Sequence, residues 1–303
     1  KQRDKNEVLD ALGGYTLLDR GVEPPTWLSA HPNDPDPTQL IPCRNGLLKL
    51  PERSLLTHSP RLFNVNALPY SFDREAPQPT EWLDFLDSLW GDDPGSVETL
   101  QELFGYLLTQ DTSQQKIFML IGPRRSGKGT IARVLRELVG QYNAVSPTLD
   151  SLAQNFGLQP LIGKQLAIVA DARLGNKSNN STLVERLLSI SGEDSLTIDR
   201  KYRDPWTGQL NTRFLLISNE APAFNETSGA LVRRFITLQT KRDFTGQEDR
   251  SLERRLLKEL PSILNWALDG LDRLKARGYF VPPESGEDLN REMDELASPV
   301  KAF

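Results

Sequence analysis

The sequence predicts an α/β fold with a smaller α+β domain before its sheet and a helical segment after it. Three observations carry this. From Gln115 onward, largely apolar runs of strand length (residues 117–121, 165–170, 214–217 and 235–238) alternate with helical stretches, the pattern of strands buried on both faces. Before them, residues 40–70 alternate short apolar pieces with turn residues, and Asn45-Gly46 supplies the positive φ values a tight hairpin turn needs. After them, Leu252, Leu256, Leu260, Leu264 and Leu268 recur every fourth residue, a helical stripe punctuated by Pro261.

The remaining elements follow in chain order. Residues 1–40 are polar and rich in Pro and Asp, the composition of a linker or extended arm. A small N-terminal domain is predicted over 41–110. Its helices run from Trp82 to Leu89 and from Val97 to Thr109, the second opened by the Asp93-Pro94 cap. The core is predicted over 111–245, with a helix from Lys128 to Val139. The capping pair Thr182 and Glu185 opens a further helix that Gly192 ends. A helical segment over 246–280 and an acidic linker over 281–303 complete the partition.

Composition narrows the function classes. At 303 residues the chain exceeds one ordinary core, and its 38% hydrophobic and 25% charged content is that of a water-soluble globular protein. No apolar run approaches the ~18–20 residues a membrane span requires. The single cysteine excludes an internal disulfide and fits a reducing compartment. Two histidines and that cysteine argue against zinc. The net charge of −5 means that any nucleic-acid contact must rest on local basic residues.

The chemistry is concentrated in Gly122-Pro123-Arg124-Arg125-Ser126-Gly127-Lys128-Gly129-Thr130, which leaves a buried strand and opens a helix. This is the strand–loop–helix context of a phosphate-binding loop. Glycines let successive N–H groups point inward, and with the helix N-terminus they make a positive cradle. The candidate nucleotide-binding residues are Gly122, Pro123, Ser126, Gly127, Lys128, Gly129 and Thr130. Lys128 brings a full charge to the terminal phosphates. The position after Lys128 holds Gly129, so the hydroxyl expected to ligate Mg²⁺ comes one place later, at Thr130.

Three further strand ends complete a constellation. Asp171 follows an apolar strand and is positioned to hold Mg²⁺. Its neighbour is Ala172 rather than a second acid, so water activation falls to Asp171 alone or to Glu193 or Asp194. Asn219 follows the next strand, where an amide reaches both the terminal phosphate and the attacking water. Arg233 and Arg234 precede the fourth strand, and either is a candidate to reach a neighbouring subunit's nucleotide.

These four pieces in this order resemble the superfamily 3 helicases, and within them the phage, plasmid and poxvirus primase-helicase family. The segment from Leu187 to Tyr202 resembles that family's additional motif, which leads into a DNA-contacting hairpin. Here the hairpin is expected over 200–213, with Pro205-Trp206-Thr207-Gly208 near its tip. Lys201 and Arg203 are the phosphate-contacting candidates and Trp206 a base-stacking one. Pro42-Cys43-Arg44-Asn45-Gly46, Thr57-His58-Ser59-Pro60 and Gln101-Glu102-Leu103-Phe104-Gly105 resemble the family's preceding domain.

The resemblance spans about residues 40–278 and implies an AAA+-like P-loop NTPase core. It implies a homo-oligomeric ring, a hexamer, that uses ATP and Mg²⁺ to move along single-stranded or forked DNA in phage, prophage or plasmid replication. It also implies a cytoplasmic setting in a bacterial host and a primase or polymerase domain in cis or in trans. No primase active-site pattern is visible in the sequence. Two alternatives stand beside this reading. Gly-Lys-Gly-Thr also occurs in nucleoside monophosphate kinases, and an ATP-gated initiator or loader would bind DNA and ATP without unwinding.

Overall fold

The computed structural model describes residues 21–172, 180–222, 224 and 229–297, with a few isolated residues before them. The chain begins with strand β1 (Thr26–Trp27). A meander follows: β2 (Leu40–Cys43), β3 (Gly46–Lys49) and β4 (Ser54–Leu56), antiparallel in that order. Asn45-Gly46 makes the β2–β3 turn, and the Asn45 amide bonds Phe72 N–H and O, locking the turn to the following chain. β5 (Leu62–Phe63) pairs back with β1. Residues 26–40 of the expected arm are thus packed on the following chain, and most of residues 1–20 lie outside the described residues. Trp27 donates its indole N–H to Pro35 O at 2.7 Å, and Arg61 pairs with Asp34 while lying over the Trp27 ring. These aromatic and ionic contacts were invisible in a composition dominated by Pro and Asp.

Helices α1 (Thr80–Trp90) and α2 (Pro94–Tyr106) follow. Asp93 caps α2 by accepting from Ser96 N–H, with Pro94 in the first turn. The central elements are β6 (Ile117–Ile121), α3 (Lys128–Val139), β7 (Ala144–Val145), α4 (Leu149–Ala153), β8 (Leu166–Val169), α5 (Asn180–Ser191), β9 (Leu196–Arg200), β10 (Arg203–Gly208), β11 (Arg213–Ser218) and β12 (Phe235–Gln239). α5 starts at Asn180, so Thr182 lies inside the first turn and the expected capping box does not open it. Helices α6 (Leu252–Leu256), α7 (Leu260–Arg277) and α8 (Glu284–Ala297) end the described chain.

β12, β6, β11, β8 and β7 form one five-stranded parallel sheet in that order. Alternate residues of each strand enter opposite cores, as the period of two requires. On one face Phe118, Leu120, Leu215, Ile217, Ile236 and Leu238 join the N-terminal meander, α1, α2 and α7 in a single cluster. On the other, Ile117, Met119, Ala167, Val169, Phe214 and Leu216 pack beneath α4 and α5, with Met293 of α8. The meander and the sheet thus share one core.

The expected linker over 281–303 is corrected over most of its length: α8 packs along edge strand β12. Asn290 accepts from the Thr237 hydroxyl and donates to Phe235 O, covering an otherwise open strand edge. The acidic surface of α8 hid its apolar anchors, Met293 and Leu289.

α2 crosses α7 around a buried carboxylate. Glu102 is 2% exposed and is held by Arg273 at 2.7 Å and by Arg277. Trp266 of α7 meets Phe104 of α2 and Trp82 of α1 edge-on, with centroids 5.6 Å apart in both pairs. Removing one partner of a buried ion pair strands the other. Glu102→Ala is therefore expected to cost about 3 kcal/mol, read as a lowered urea midpoint with unchanged slope.

Candidate functional site

The residues between β6 and α3 form a loop over the carboxyl end of the sheet. Gly127 caps α3 at φ 87°, a left-handed conformation that suits glycine. A Cβ there would meet Leu89 Cδ2 at 2.9 Å, so α1 presses directly on the loop. At Gly122 a Cβ would overlap Thr240, the residue after β12. Ser126 Oγ and Thr240 Oγ1 share a hydrogen bond of 2.6 Å, which closes the loop from below.

Lys128 is 5% exposed and folds back over its own loop. Its ammonium donates to Gly122 O and Pro123 O, both at 2.6 Å, and to Ser126 Oγ at 3.2 Å. Burial pulls its pKa below the ordinary lysine value. The charge is satisfied, but by neutral acceptors that an anion would outcompete.

A cavity of about 830 Å³ opens over this loop. Ser126, Gly127, Lys128, Gly129, Thr130 and Asn219 line it, as does Ala170, the residue before Asp171. β11 lies between β6 and β8, so Asn219 and Asp171 leave strands adjacent in the sheet, at the same end as the loop. Open parallel sheets bind ligands in this crevice. The structure therefore brings together Gly122, Pro123, Ser126, Gly127, Lys128, Gly129, Thr130, Asn219 and Asp171.

It does not bring Arg233 and Arg234 there. Both sit before Phe235, and Phe235 is in register with Ile117 at the opposite end of β6. Arg234 is half-buried beside Gly192, with Nη1 buried and unpartnered among the described residues. Arg233 is exposed, and its carbonyl accepts from Lys116 Nζ at 3.0 Å. Glu193 and Asp194 lie at that same far end, which corrects their candidacy as activators of water within one subunit. The Glu193 carboxylate is taken by the Thr112 hydroxyl (2.6 Å) and the Gln115 amide (3.1 Å), two residues that precede β6.

Of the two residues expected to hold Mg²⁺, Thr130 lines this cavity and Asp171 follows Ala170, which lines it. Gly129 offers no hydroxyl, and Thr130 Oγ1 accepts from Arg133 at 3.3 Å. Among the described residues no group of three or more His, Cys, Asp or Glu could hold a metal by itself.

The cavity has a second wall that sequence reasoning missed. Chain leaving β12 forms a strap, residues 240–256, beside the loop. Phe244 N–H donates to Arg125 O at 3.1 Å, and the Arg125 guanidinium pairs with Glu248 at 2.7 Å. Arg125 reaches both because its backbone is left-handed, φ 56°. Arg133 pairs with Glu253 (2.6 Å), and Arg255 joins Asp249 (2.9 Å) to Glu81 of α1 (3.0 Å). Hydrogen bonds from Ser251, with Arg255, hold the Asp249 carboxyl down to about 2. Two adjacent arginines inside a glycine loop were the readable signal; Glu248, the partner of Arg125, lies more than a hundred residues away.

The hairpin is β9–β10, and its tip is Lys201-Tyr202, not Pro205–Gly208. Trp206 pairs with Ile198 in the returning strand, and its ring lies over Gly208 against the lower core. Half-buried there, the ring packs on its own strand, which corrects Trp206 as a residue at the hairpin tip. Tyr202, 94% exposed at φ 61°, occupies the tip between Arg200, Lys201 and Arg203. Gln159 pins the tip by accepting from Lys201 N–H at 3.0 Å.

Comparison with known proteins bears on the N-terminal part first. Residues 27–91 match the family described as D5 N terminal like. Residues 120–234 match a family of unknown function, DUF5906. The fold is similar to that of the NrS-1 C terminal region. One apo structure of it (residues 305–718) has TM-score 0.60 at 14% identity, over 76% of this chain and 54% of that one. Its A form apo structure has TM-score 0.59 at 13% identity, over 96% and 67%. The chain thus spans about half to two thirds of the region it resembles. The D5-like match and the shared fold support the phage primase-helicase resemblance carried by the motifs. No helix among the described residues is long and apolar enough to cross a membrane.

Proposed function

We propose that the chain is the ATP-hydrolysing motor of a phage-type replication protein, a ring-forming DNA translocase or helicase of the superfamily 3 kind. The observation that carries this reading is the shared cavity: a glycine-and-lysine loop, Asn219 and Ala170, the residue before Asp171, leave neighbouring parallel strands and line one space large enough for a nucleotide. In this reading the loop N–H groups and Lys128 bind the β- and γ-phosphates. Asn219 orients the attacking water, and Asp171 with Thr130 holds Mg²⁺, which neutralises phosphate charge. Arg233, the exposed member of the pair, reaches the nucleotide of the next subunit in a homo-oligomeric ring, a hexamer by the family resemblance.

The β9–β10 hairpin is the proposed DNA contact. Arg200, Lys201 and Arg203 surround Tyr202, so cations for phosphates flank a ring for a base, the pairing that single-strand binding uses. The test is ATP hydrolysis with and without single-stranded DNA, on a sample of known oligomeric state. Hydrolysis is expected to rise with DNA in the wild type. In the double variant Lys201→Ala/Tyr202→Ala it is expected to keep its DNA-independent rate and lose the stimulation. Unchanged stimulation removes the hairpin from the mechanism. A product in which a nucleoside monophosphate has been phosphorylated replaces the motor with a kinase.

A further inference from the structure

We infer that the cavity wall formed by α1 and the strap is a nucleoside site, which seats the base and ribose of a ribonucleotide and uses Asp84 as the acceptor for the ribose 2′-hydroxyl. The inference rests on the phosphate-loop reading proposed above and deepens it. The sheet order gives direction to the cavity. Asn219 and Asp171 follow β11 and β8 on one side of β6, whereas the strap leaves β12 on the other. A nucleotide whose terminal phosphate points at Asn219 must therefore send its nucleoside toward β12, into the space between α1 and the strap.

The chemistry of that wall matches the nucleoside half of the molecule. Phe85, Phe244 and Leu252 give it an apolar lining where a flat heteroaromatic ring fits. Glu81 and Asp84 face the cavity from α1, and Glu248, Asp249 and Arg255 face it from the strap. Carboxylates accept from hydroxyls, so an acid here without a cationic partner favours a hydrogen-bond donor of the nucleotide.

Three of these four acids are occupied: Glu81 and Asp249 by Arg255, and Glu248 by Arg125. Asp84 is exposed to the cavity and forms no ion pair among the described residues. It lies one residue before Phe85, whose ring touches the phosphate loop at Gly127. A group there stands next to the first phosphates, where a ribose would be. The N-terminal unit thus supplies part of the nucleotide site, and its D5-like match ends at residue 91, just beyond α1.

The test is calorimetric binding of inorganic tripolyphosphate, ATP and dATP to the full chain, with Asp84→Ala and Lys128→Ala variants. ATP is expected to bind at least ~10-fold more tightly than tripolyphosphate and ~10-fold more tightly than dATP, the scale of one charge-assisted hydrogen bond. Asp84→Ala should bring ATP down to dATP while tripolyphosphate binding stays as it was. If all three ligands bind alike but still require Lys128, the nucleoside site is overturned and the phosphate loop stands. Equal losses for ATP and dATP in Asp84→Ala overturn the ribose assignment. If none of the three binds, or binding survives Lys128→Ala, the phosphate-loop reading itself falls.

Discussion

Lys128→Ala is expected to reduce ATP hydrolysis by at least ~100-fold, the scale of losing one preorganised donor to transition-state charge. The protein should remain folded. Among the described residues Lys128 contributes to no ion pair, and its ammonium donates to Gly122, Pro123 and Ser126 of its own loop. The backbone cradle remains in the variant, because Gly127 still starts α3 and Ser126 still bonds Thr240. The cradle alone lacks the ammonium's charge, so ATP binding should weaken together with turnover. Circular dichroism and an unchanged urea midpoint would verify the fold. A folded Lys128→Ala protein with wild-type turnover would remove this loop from the chemistry.

How far this site could be read from the sequence depended on distance along the chain. The strand–loop–helix unit was legible because its signals are contiguous: five buried residues, then the loop, then an amphipathic helix. Asp171 and Asn219 were legible as residues leaving apolar strands, and parallel pairing then forces them to one end of the sheet. Glu193 was misread because linear order says nothing about which end of a sheet a helix terminus reaches. The Thr112 and Gln115 bonds are what fix it.

The hairpin shows the complementary error. Pro205-Trp206-Thr207-Gly208 has turn-like composition, but Gly208 is there to let the Trp206 ring lie flat. The turn is made by Tyr202, which adopts a positive φ with no compositional warning. The strap and α8 were missed for a related reason. Their anchors are ion pairs and a few apolar contacts with partners remote in sequence, which leave no periodic signal.

The second large effect concerns Arg233, and its location dictates the form of the experiment. Within one chain Arg233 stands at the start of β12, a full strand length from the phosphate loop, so it cannot serve its own site. If it completes a neighbour's site, Arg233→Ala should lower hydrolysis by ~10³-fold or more while leaving ATP binding by the isolated chain intact. Arg234→Ala should act instead through local packing, since that side chain is tucked against Gly192. Mixing separates the roles. Lys128→Ala and Arg233→Ala chains are each inactive alone, yet a head-to-tail ring assembled from equal amounts regains roughly a quarter of its sites. Each regained site takes Lys128 from one chain and Arg233 from the next. A mixture as inactive as its components would exclude Arg233 as the residue donated across the interface, whereas a partly active Arg233→Ala protein would exclude it from the transition state.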